Sequence, residues 1–375
     1  MKNTQVEDHD TTQSSRIIKS QKSKRKQLIL KVILIAAGIL LLATGVIAYQ
    51  ITSNINRMII PKPVIDAEQD GPIETPPVFS EEDEDFYLLV MGLDYRDNHN
   101  ALLTDSIMVL HIIPQQSTIK LLSIPRDLLV ENTRGSIVKI NSLFSEGHIL
   151  TRQQAKDNPS ILSGDTIKLG NVTMDKAVLS GAIANTRNKL EEILDVSIQN
   201  TVLVNFNTLV ALVDEVGGIE IDVKRSMKYR VTNLYLEPGL QTLNGEDALG
   251  YARFREDDRG RRYFASDFER GQQQQEVVKA LADEIFTLKN SGKTLKLLAI
   301  VSENVQTDMD YADMYAMVTN YYNVFNSDSF QSVPFPEMYS SKGDVILSDE
   351  ARNELRNSFK SLEIEEHEPQ EEAEL

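Results

Sequence analysis

Cysteine and tryptophan are absent from this chain of 375 residues, and histidine occurs only five times. Without cysteine the protein can form no disulfide bond, no thiolate nucleophile and no cysteine-ligated zinc site. The H-E-x-x-H and G-x-S-x-G patterns of metalloproteases and serine hydrolases are also missing. Gly292-Lys293-Thr294 resembles the end of a phosphate-binding loop, but the first glycine of that pattern would fall at Thr287. These absences argue against the commonest hydrolytic and nucleotide-binding sites.

Positive charge is scarce and unevenly placed. The formal net charge is −17, yet residues 1–27 hold seven basic side chains and only three acidic ones. Because contacts to phosphates require lysine and arginine, so acidic a chain is a poor candidate for binding nucleic acid, and no such partner is expected. A basic segment at residues 1–27 followed by an acidic chain indicates that the two parts occupy different environments.

A long uncharged run follows the basic segment. Residues 32–49 carry no charge, and with Leu28, Ile29 and Leu30 the run reaches the roughly 20 apolar residues that cross a bilayer. The basic cluster comes first, so the positive-inside bias places the N-terminus in the cytoplasm and the rest of the chain outside. We therefore predict one uncleaved transmembrane helix at residues 28–50. The alternatives are a cleaved signal peptide, for which the run is too long, and a buried core helix, which would not be apolar on every face.

The remaining chain divides by composition. Residues 51–85 contain five prolines and end in an acidic run, which predicts an extended extracellular spacer. Residues 363–375 are too charged to bury a core and are predicted to be a disordered acidic tail. The folded extracellular domain is accordingly expected at residues 86–362, with residues 1–27 as a cytoplasmic basic tail.

Strand and helix patterns alternate within the expected domain. Apolar runs at Phe86–Gly92 and Ser106–Ile113 predict buried strands, and Thr118–Ile124 is predicted to return as the hairpin partner of the second. Helical spacing of apolar residues is found at residues 175–194, 208–216 and 269–289, with further strands at residues 201–206 and 219–223. This alternation predicts an α/β fold, with a mixed central β-sheet flanked by helices and preceded by the transmembrane helix.

Aspartates and arginines lie where these strands begin and end. Asp94 follows the first strand, Asp105 precedes the second, and Arg126-Asp127 follows the third. If the second and third strands form a hairpin, Asp105 and Arg126 lie at the same end of the sheet, where α/β folds bind ligands.

Two further groups of polar residues occur later in the chain. Arg253 and Arg255 would point to the same face if Tyr251–Arg255 were a strand. Asp267, Arg270 and Gln274 have the spacing of one helix face.

Several arginines in an acidic domain suit a dense anion such as a pyrophosphate, because guanidinium is a planar, bidentate donor. Neighbouring aspartates suit a hard cation such as Mg²⁺, which binds one or two carboxylates and phosphate oxygens. The alternative is that these side chains pair with one another as solvated surface salt bridges. The residue pattern alone leaves both interpretations open.

Taken together, these segments resemble the LytR-CpsA-Psr family of bacterial cell-envelope proteins. The matching pieces occur in the family's order: Gly92-Leu93-Asp94, Thr104-Asp105-Ser106, Ser123–Asp127, Lys139-Ile140-Asn141, Val213–Glu220, Leu243–Arg255, and Asp267–Arg270 with Gln274-Gln275.

The resemblance implies an enzyme that transfers a glycopolymer, of teichoic-acid or capsule type, from a polyprenyl-pyrophosphate carrier to peptidoglycan outside the membrane of typically Gram-positive bacteria. It implies a phosphodiester product, a Mg²⁺ cofactor and a possible pyrophosphatase side activity. By motif position, the metal ligands are Asp94 and Asp105. The pyrophosphate ligands are Arg126, Arg253, Arg255, Arg270 and Gln274. The catalytic residues are Arg126, Asp127, Asp267 and Arg270, with Asp127 and Asp267 as candidates for the general base.

The chain departs from the family's pattern at two positions and in one loop. Leu103 and Gln273 stand where the family usually has arginine, and residues 256–266 form a longer insert that carries Arg259, Arg261 and Arg262. One of these three could replace a lost charge. The departures keep open a non-catalytic scaffold that binds lipid pyrophosphate. A membrane-bound regulator of envelope gene expression is the other alternative, although residues 1–27 show no helix-turn-helix pattern.

Overall fold

The computed structural model describes residues 50–61, 85–94, 102–169, 172–287, 293–310, 313–314 and 329–361. The chain divides into two compact units, Met1–Asn54 and Ile55–Leu375. Only residues 50–54 of the first unit are described, and they are helical. No helix among the described residues is long and apolar enough to span a bilayer. The predicted transmembrane helix at residues 28–50 lies outside the described residues, apart from Gln50, as do the predicted tails at residues 1–27 and 363–375.

The second unit is built from short strands and longer helices. Its strands are β1 Phe86–Asp94, β2 Leu103–Ile113, β3 Thr118–Ser123, β4 Leu129–Glu131, β5 Ile137–Lys139, β6 Thr166–Leu169, β7 Val172–Asp175, β8 Asn200–Asn205, β9 Ile219–Val223, β10 Met227–Tyr229, β11 Leu234–Leu236, β12 Gly239–Leu243, β13 Val305–Thr307 and β14 Phe330–Val333. Its helices are α1 Leu143–Asp157, α2 Lys176–Leu194, α3 Phe206–Val216, α4 Gly245–Arg253, α5 Asp267–Thr287, α6 Thr294–Asn304 and α7 Asp349–Lys360.

A six-stranded sheet organises this unit, in the order β13-β8-β1-β2-β3-β14. The β8–β1 and β3–β14 pairs are parallel, and the other pairs are antiparallel, so the sheet is mixed as predicted. The predicted hairpin is confirmed, because β2 and β3 pair from Met108–Ser123 to Ile113–Thr118 around a short turn that starts at Pro114. Both edge strands come from residues 305–333, whose role the sequence left open.

Both faces of this sheet are covered, which explains why its strands are apolar on both sides. Leu89 and Met91 of β1 belong to a core that includes Phe144 of α1, Ile183 of α2 and Phe359 of α7. Alternate residues face the other way and form a second core with Met309, against which Val278 of α5 packs. The α/β fold with helices flanking a mixed sheet is therefore confirmed.

A third core lies beside the sheet and carries one wall of the site described below. It joins α3, α4 and α5 to the hairpins β9–β12 and β10–β11, through Val213, Ile221, Leu234, Tyr251 and Val277. The predicted helix α3 ends at Gly217, whose φ of 106° is readily adopted only by glycine.

The spacer predicted for residues 51–85 is corrected at its beginning. Residues 50–58 are helical, and Met58 and Ile60 are buried. The Ile60 N–H donates to the carbonyl of Thr307 over 2.8 Å, and Lys176 Nζ donates to the carbonyl of Ile59 over 2.8 Å. The folded unit therefore begins before residue 86. The five prolines predicted an extended segment from residue 51 onward. The first of them, however, stands at position 61 and leaves the residues before it free to be helical.

Candidate functional site

A β-bulge positions the first carboxylate. Gly92 pairs with Ser106 and Leu93 with Thr104, so Asp105 is the extra residue of β2 at this point. Bulges often redirect a side chain next to an active site. Here Asp105 Oδ1 lies 2.8 Å from Arg126 Nη1, just beyond the end of β3. The hairpin thus brings together the pair that the sequence placed at one sheet edge.

The Arg126 guanidinium is only one-fifth exposed. Burial alone would lower the pKa of Arg126, but the charge and the hydrogen bond of Asp105 outweigh it, and Asp127 and Asp267 add to the effect, so the pKa is raised. Arg126 therefore stays charged and oriented without any ligand.

Helix α5 reaches the same strand end because a glycine lets it approach closely. A Cβ on Gly271 would lie 2.9 Å from the Cβ of Ser123, which is closer than real Cβ contacts allow. The Ser123 hydroxyl donates to the carbonyl of Gly271 over 3.1 Å and accepts from Gln275 Nε2 over 3.0 Å. These contacts fix the first turn of α5, and with it Asp267 and Arg270, over the end of β3.

Arg270 is the most deeply buried cation of the group, with 7% of its side chain exposed. Its Nη2 lies 2.5 Å from Asp267 Oδ1, which confirms that the two share one helix face. Burial lowers the pKa of Arg270 to about 10; the charge of Asp267 opposes that shift, and the neighbouring Arg126 adds to it. Two guanidinium groups are thus held close together although they repel each other, which is the arrangement expected of an anion site.

Asp127 and Asp267 share a hydrogen bond that the sequence did not reveal. Burial raises the pKa of Asp267, and the hydrogen bond and charge of Asp127 raise it further, against the opposing charge of Arg270. Burial would also raise the pKa of Asp127, but hydrogen bonds from Lys139 and Asp267 outweigh it and lower the pKa. The pKa values of the two carboxyl groups are thus shifted in opposite directions, and Asp267 is the one that keeps its proton to higher pH.

Arg253 and Arg255 are not on a strand, contrary to the sequence prediction. Arg253 is the last residue of α4, and Arg255 follows it in an irregular segment. The Arg253 guanidinium carbon lies 4.4 Å from the centre of the Phe206 ring, a cation–π contact. Arg255 is about half exposed and its Nη2 lies 3.6 Å from Asp127 Oδ2. Both nevertheless reach the same cavity.

That cavity has a volume of about 410 Å³ and opens between the sheet edge and the third core. It is lined by the proposed ligands Asp105, Arg126, Arg253, Arg255, Arg270 and Gln274, and by Phe206, Tyr229, Val231, Thr232, Leu234, Glu246, Leu249, Gly250, Phe254 and Glu256. All five predicted pyrophosphate ligands therefore meet in one place, next to an apolar wall. Asp127 and Asp267 are not among the lining residues, and they support the cations from behind.

Gln274 is fixed by two hydrogen bonds: its Oε1 accepts from the Ser106 hydroxyl over 2.9 Å, and its Nε2 donates to the carbonyl of Ala252 over 3.3 Å. It thereby links the bulged strand, α5 and α4. The neighbouring Gln273, at a position where arginine was expected, is buried and does not line the cavity.

None of the three arginines of the insert supplies a replacement charge in the cavity. Arg259 pairs with Asp257 over 2.7 Å, while Arg261 and Arg262 are exposed, and none of them lines the cavity. Leu103 lies in β2 opposite Asp94, and its side chain is half-buried.

The backbone of the predicted metal ligand Asp94 pairs with Leu103, two residues before the second predicted ligand, Asp105. Among the described residues, no group of three or more His, Cys, Asp or Glu side chains is placed to hold a metal. Mg²⁺ commonly uses one or two carboxylates with water and phosphate oxygens, and the Asp105 carboxylate at the cavity is a donor of that kind.

Sequence reasoning missed several residues that shape the site. Phe206, Tyr229, Glu246 and Glu256 line the cavity, and Lys139 Nζ lies 2.8 Å from Asp127 Oδ1. Lys139 belongs to a matched motif and Phe206 immediately follows a strand, so both could have been suspected. Tyr229 ends the three-residue strand β10 and Glu256 lies in an irregular segment, and neither carries such a signal.

This chain is similar in sequence and fold to several known proteins. The teichoic acid transferase TagV of Bacillus subtilis, named as acting between polyisoprenyl-teichoic acid and peptidoglycan, is 28% identical over 74% of this chain and 64% of its own length. A TagU of the same named activity from Bacillus cereus is 28% identical over 90% of this chain and 99% of its own length. The crystal structure of B. subtilis TagV superposes with a TM-score of 0.53, at 26% identity, over 74% of this chain and 96% of that one. The match with the first of these relatives thus spans less than two thirds of that protein.

The model of the LytR_cpsA_psr family matches residues 61–361, which is most of the chain and includes every residue of the cavity. The order of the motifs, the mixed sheet and the cluster of arginines at its edge all lie within that range. This chain belongs to the LytR-CpsA-Psr family.

Proposed function

We propose that this protein transfers a teichoic-acid-type glycopolymer from a polyprenyl-pyrophosphate carrier to peptidoglycan. The observation that carries the proposal is the convergence of Arg126, Arg253, Arg255 and Arg270 on one cavity of a chain with a net charge of −17. Surface salt bridges would not need this arrangement, because arginines repel one another unless an anion joins them. The names of the relatives in the family give the proposal its substrate class.

The cavity suits both ends of such a donor. Arg126 and Arg270 would hold the pyrophosphate near the sheet edge, with Gln274 as a neutral donor beside them. Phe206, Leu234, Leu249 and Phe254 would take the first part of the prenyl chain, because burying apolar surface is favourable.

The proposed reaction is a phosphoryl-type transfer. A hydroxyl oxygen of a peptidoglycan sugar attacks the sugar-proximal phosphorus and forms a new P–O bond. The bond from that phosphorus to the bridging oxygen breaks, and polyprenyl monophosphate leaves with the electron pair. Arg126 and Arg270 are charged and oriented before the substrate arrives, so they would stabilise the charge that develops on the bridging oxygen. Attack by water in place of the sugar would give the pyrophosphatase side activity.

The hydroxyl must lose a proton, and Asp127 and Asp267 are the candidate acceptors. A general base works best when its pKa lies near the working pH. The pKa of Asp267 is shifted upward, by burial and then by Asp127, whereas that of Asp127 is shifted downward. Asp267 is thus the better suited of the two, and Asp127 would tune it.

A Mg²⁺ ion would be held by Asp94 and Asp105. It would supply additional positive charge for the pyrophosphate oxygens.

The setting that we propose is the outer face of the cell membrane. The single helix at residues 28–50 would anchor the chain with its N-terminus in the cytoplasm, and the domain would work outside, where lipid carrier and peptidoglycan meet. We do not adopt the regulatory alternative, because residues 1–27 show no DNA-binding pattern and the cationic cavity needs an anionic ligand.

The proposal is tested by transfer of labelled, lipid-linked polymer to peptidoglycan by the purified full-length protein. We expect product with the wild type and with Arg152→Ala, a matched change of an exposed arginine on α1 away from the cavity. Arg126→Ala and Asp105→Ala should both lose most of the product. Undiminished transfer in both of these variants would refute the assignment, and lipid binding without any transfer by the wild type would favour the scaffold alternative.

A further inference from the structure

The surface beside the cavity is basic, although the chain as a whole is acidic. Two segments, residues 224–232 and 255–262, together contain eight lysines and arginines and only three acidic residues. We call these two segments the basic rim. The second segment includes most of the insert that distinguishes this chain from the family pattern.

Hydrogen bonds join the two segments into one surface. The Asp258 N–H donates to the carbonyl of Lys228 over 2.8 Å, and the Arg230 N–H donates to Asp258 Oδ2 over 3.0 Å. Arg259 Nη2 donates to the carbonyl of Ser226 over 2.7 Å. The backbone of Arg230 therefore lies against Asp258, which is only three residues, or at most about 11 Å of chain, from Arg261.

Most cations of the rim are already neutralised, but three are not. Five of them contact carboxylates: Lys224, Arg225, Lys228, Arg255 and Arg259. Within the part of the chain that the structure describes, Arg230, Arg261 and Arg262 make no ion pair, and all three are exposed. These three guanidinium groups are thus available to an external anion.

An apolar side chain stands among them. Val231 is 78% exposed, follows Arg230 directly and lines the mouth of the cavity, as do Tyr229, Thr232 and Arg255 of the same rim. A soluble polyanion would use the arginines but would gain nothing from an exposed valine. Arginines around a projecting apolar residue are instead the combination that binds the interface of an anionic bilayer.

We propose that the basic rim rests on an anionic lipid surface, with Arg230, Arg261 and Arg262 at the headgroups and Val231 entering the apolar layer. This contact would hold the mouth of the cavity at the bilayer, so that a lipid-linked substrate could enter without leaving the membrane. The biological meaning rests on the proposed function, whereas the contact itself can be measured without substrate or turnover.

The absence of cysteine makes the test direct, because a single introduced cysteine takes one label. Full-length protein with a spin label at Val231→Cys is placed in nanodiscs of phosphatidylcholine, alone or mixed with phosphatidylglycerol. Collisions with oxygen and with a water-soluble relaxation agent then report the depth of the label. The matched control is Ile149→Cys, a half-exposed apolar position on α1.

We expect the label at position 231 to be shielded from the water-soluble agent in anionic discs, while the label at position 149 stays in water. Each arginine at an anionic leaflet favours contact by roughly fivefold. Arg261→Glu with Arg262→Glu should therefore lower the ratio of contacting to free protein by at least about 25-fold. Arg152→Glu with Lys156→Glu, an equal charge change on α1, should leave it unchanged.

Three outcomes would overturn the proposal. The first is a label at position 231 that stays in water in anionic discs. The second is an equal loss of contact when the charges on α1 are reversed. The third is shielding that appears only when soluble polyphosphate is added, which would assign the rim to the polymer instead. Circular dichroism of each variant verifies that the fold is kept.

Discussion

The cations of the cavity fall into two pairs that are held very differently. Arg126 and Arg270 are buried at the sheet edge, where aspartate oxygens lie 2.8 and 2.5 Å from their guanidinium nitrogens. Arg253 and Arg255 lie at and beyond the end of α4, and Arg255 is about half exposed with its carboxylate 3.6 Å away. The first pair is preorganised, while Arg255 at least can move to meet a ligand.

The difference in burial between the two pairs predicts different contributions to the reaction. Preorganised, partly buried donors stabilise a developing charge strongly because they need not reorient during the reaction. Exposed ion pairs contribute about 0–1 kcal/mol, since water and salt screen them. Under the proposed function, Arg126 and Arg270 would stabilise the developing charge, and Arg255 would help to capture a variable substrate.

The largest effect is expected from the buried pair. Arg126→Ala should lower kcat/KM for polymer transfer by about 10²–10³-fold, because it removes a preorganised donor and leaves Asp105 without its partner. Transfer kinetics with lipid-linked polymer measure this change, with Arg152→Ala as the control. A loss below tenfold would mean that Arg126 behaves like the exposed Arg255, which would contradict the division into two pairs.

The close approach of α5 to β3 is the next test. Gly271→Ala places a Cβ 2.9 Å from that of Ser123, and overpacking of this kind costs about 1–3 kcal/mol. A gain of up to about 1 kcal/mol in helix propensity offsets part of that cost. We expect a net loss of about 1–2 kcal/mol in the free energy of unfolding, measured by denaturant titration.

The contact itself can be isolated by a double-mutant cycle. Ser123→Gly combined with Gly271→Ala removes the clashing atoms, so the double variant should be less destabilised than the sum of the single variants. Strict additivity would mean that the glycine is not required for the approach of the helix.

A smaller effect is expected from the exposed pair. Arg255→Ala should raise KM for the lipid-linked donor by about tenfold or less and leave kcat nearly unchanged, because it removes binding that is similar before and during the reaction. Arg255→Lys should recover part of the loss, since a charge without fixed geometry suffices there. A fall in kcat as large as that of Arg126→Ala would contradict the division between the two pairs.

The smallest effect concerns the two aspartates behind the cations. The pKa of Asp267 is raised, so its contribution to stability is present at low pH and is lost as pH rises through that pKa. Compared with the wild type, Asp267→Asn should therefore become more stable as pH rises. The pKa of Asp127 is lowered, so Asp127→Asn should become less stable than the wild type over the same range.

These two trends should have opposite signs and amount to about 1 kcal/mol or less. Thermal unfolding of both variants and the wild type, from acidic to neutral pH, measures them. Trends of the same sign would contradict pKa shifts of opposite direction at the two carboxyl groups.

Local patterns allowed much of the framework to be predicted. The β2–β3 hairpin and the meeting of Asp105 with Arg126 followed from the apolar runs on both sides of Pro114. The helical state of Arg253 was missed, although the sequence carried a signal: Asn244 caps α4 by accepting from the Asp247 N–H over 2.9 Å.

Other features depend on contacts between distant segments. The hydrogen bond between Asp127 and Asp267 joins the end of β3 to the start of α5, and nothing in either local sequence indicates it. The edge strands β13 and β14 are three and four residues long, too short to show a period of their own. Motif position named Asp127 and Asp267 as well as the polar residues that line the cavity, but it did not indicate the contact between these two aspartates.

Strand β3, which ends just before Arg126, pairs with residues that are synthesised much later. β3 pairs on its outer side with β14, and the carbonyl of Phe359 in α7 bonds to the buried ring of His111 in β2. A chain that is synthesised and exported from its N-terminus exposes β3 as a free sheet edge until residues 330–360 have emerged. If the domain is exported as we propose, it would cross the membrane without a finished cavity, and the arginines would be fixed in place only after residues 330–360 had followed.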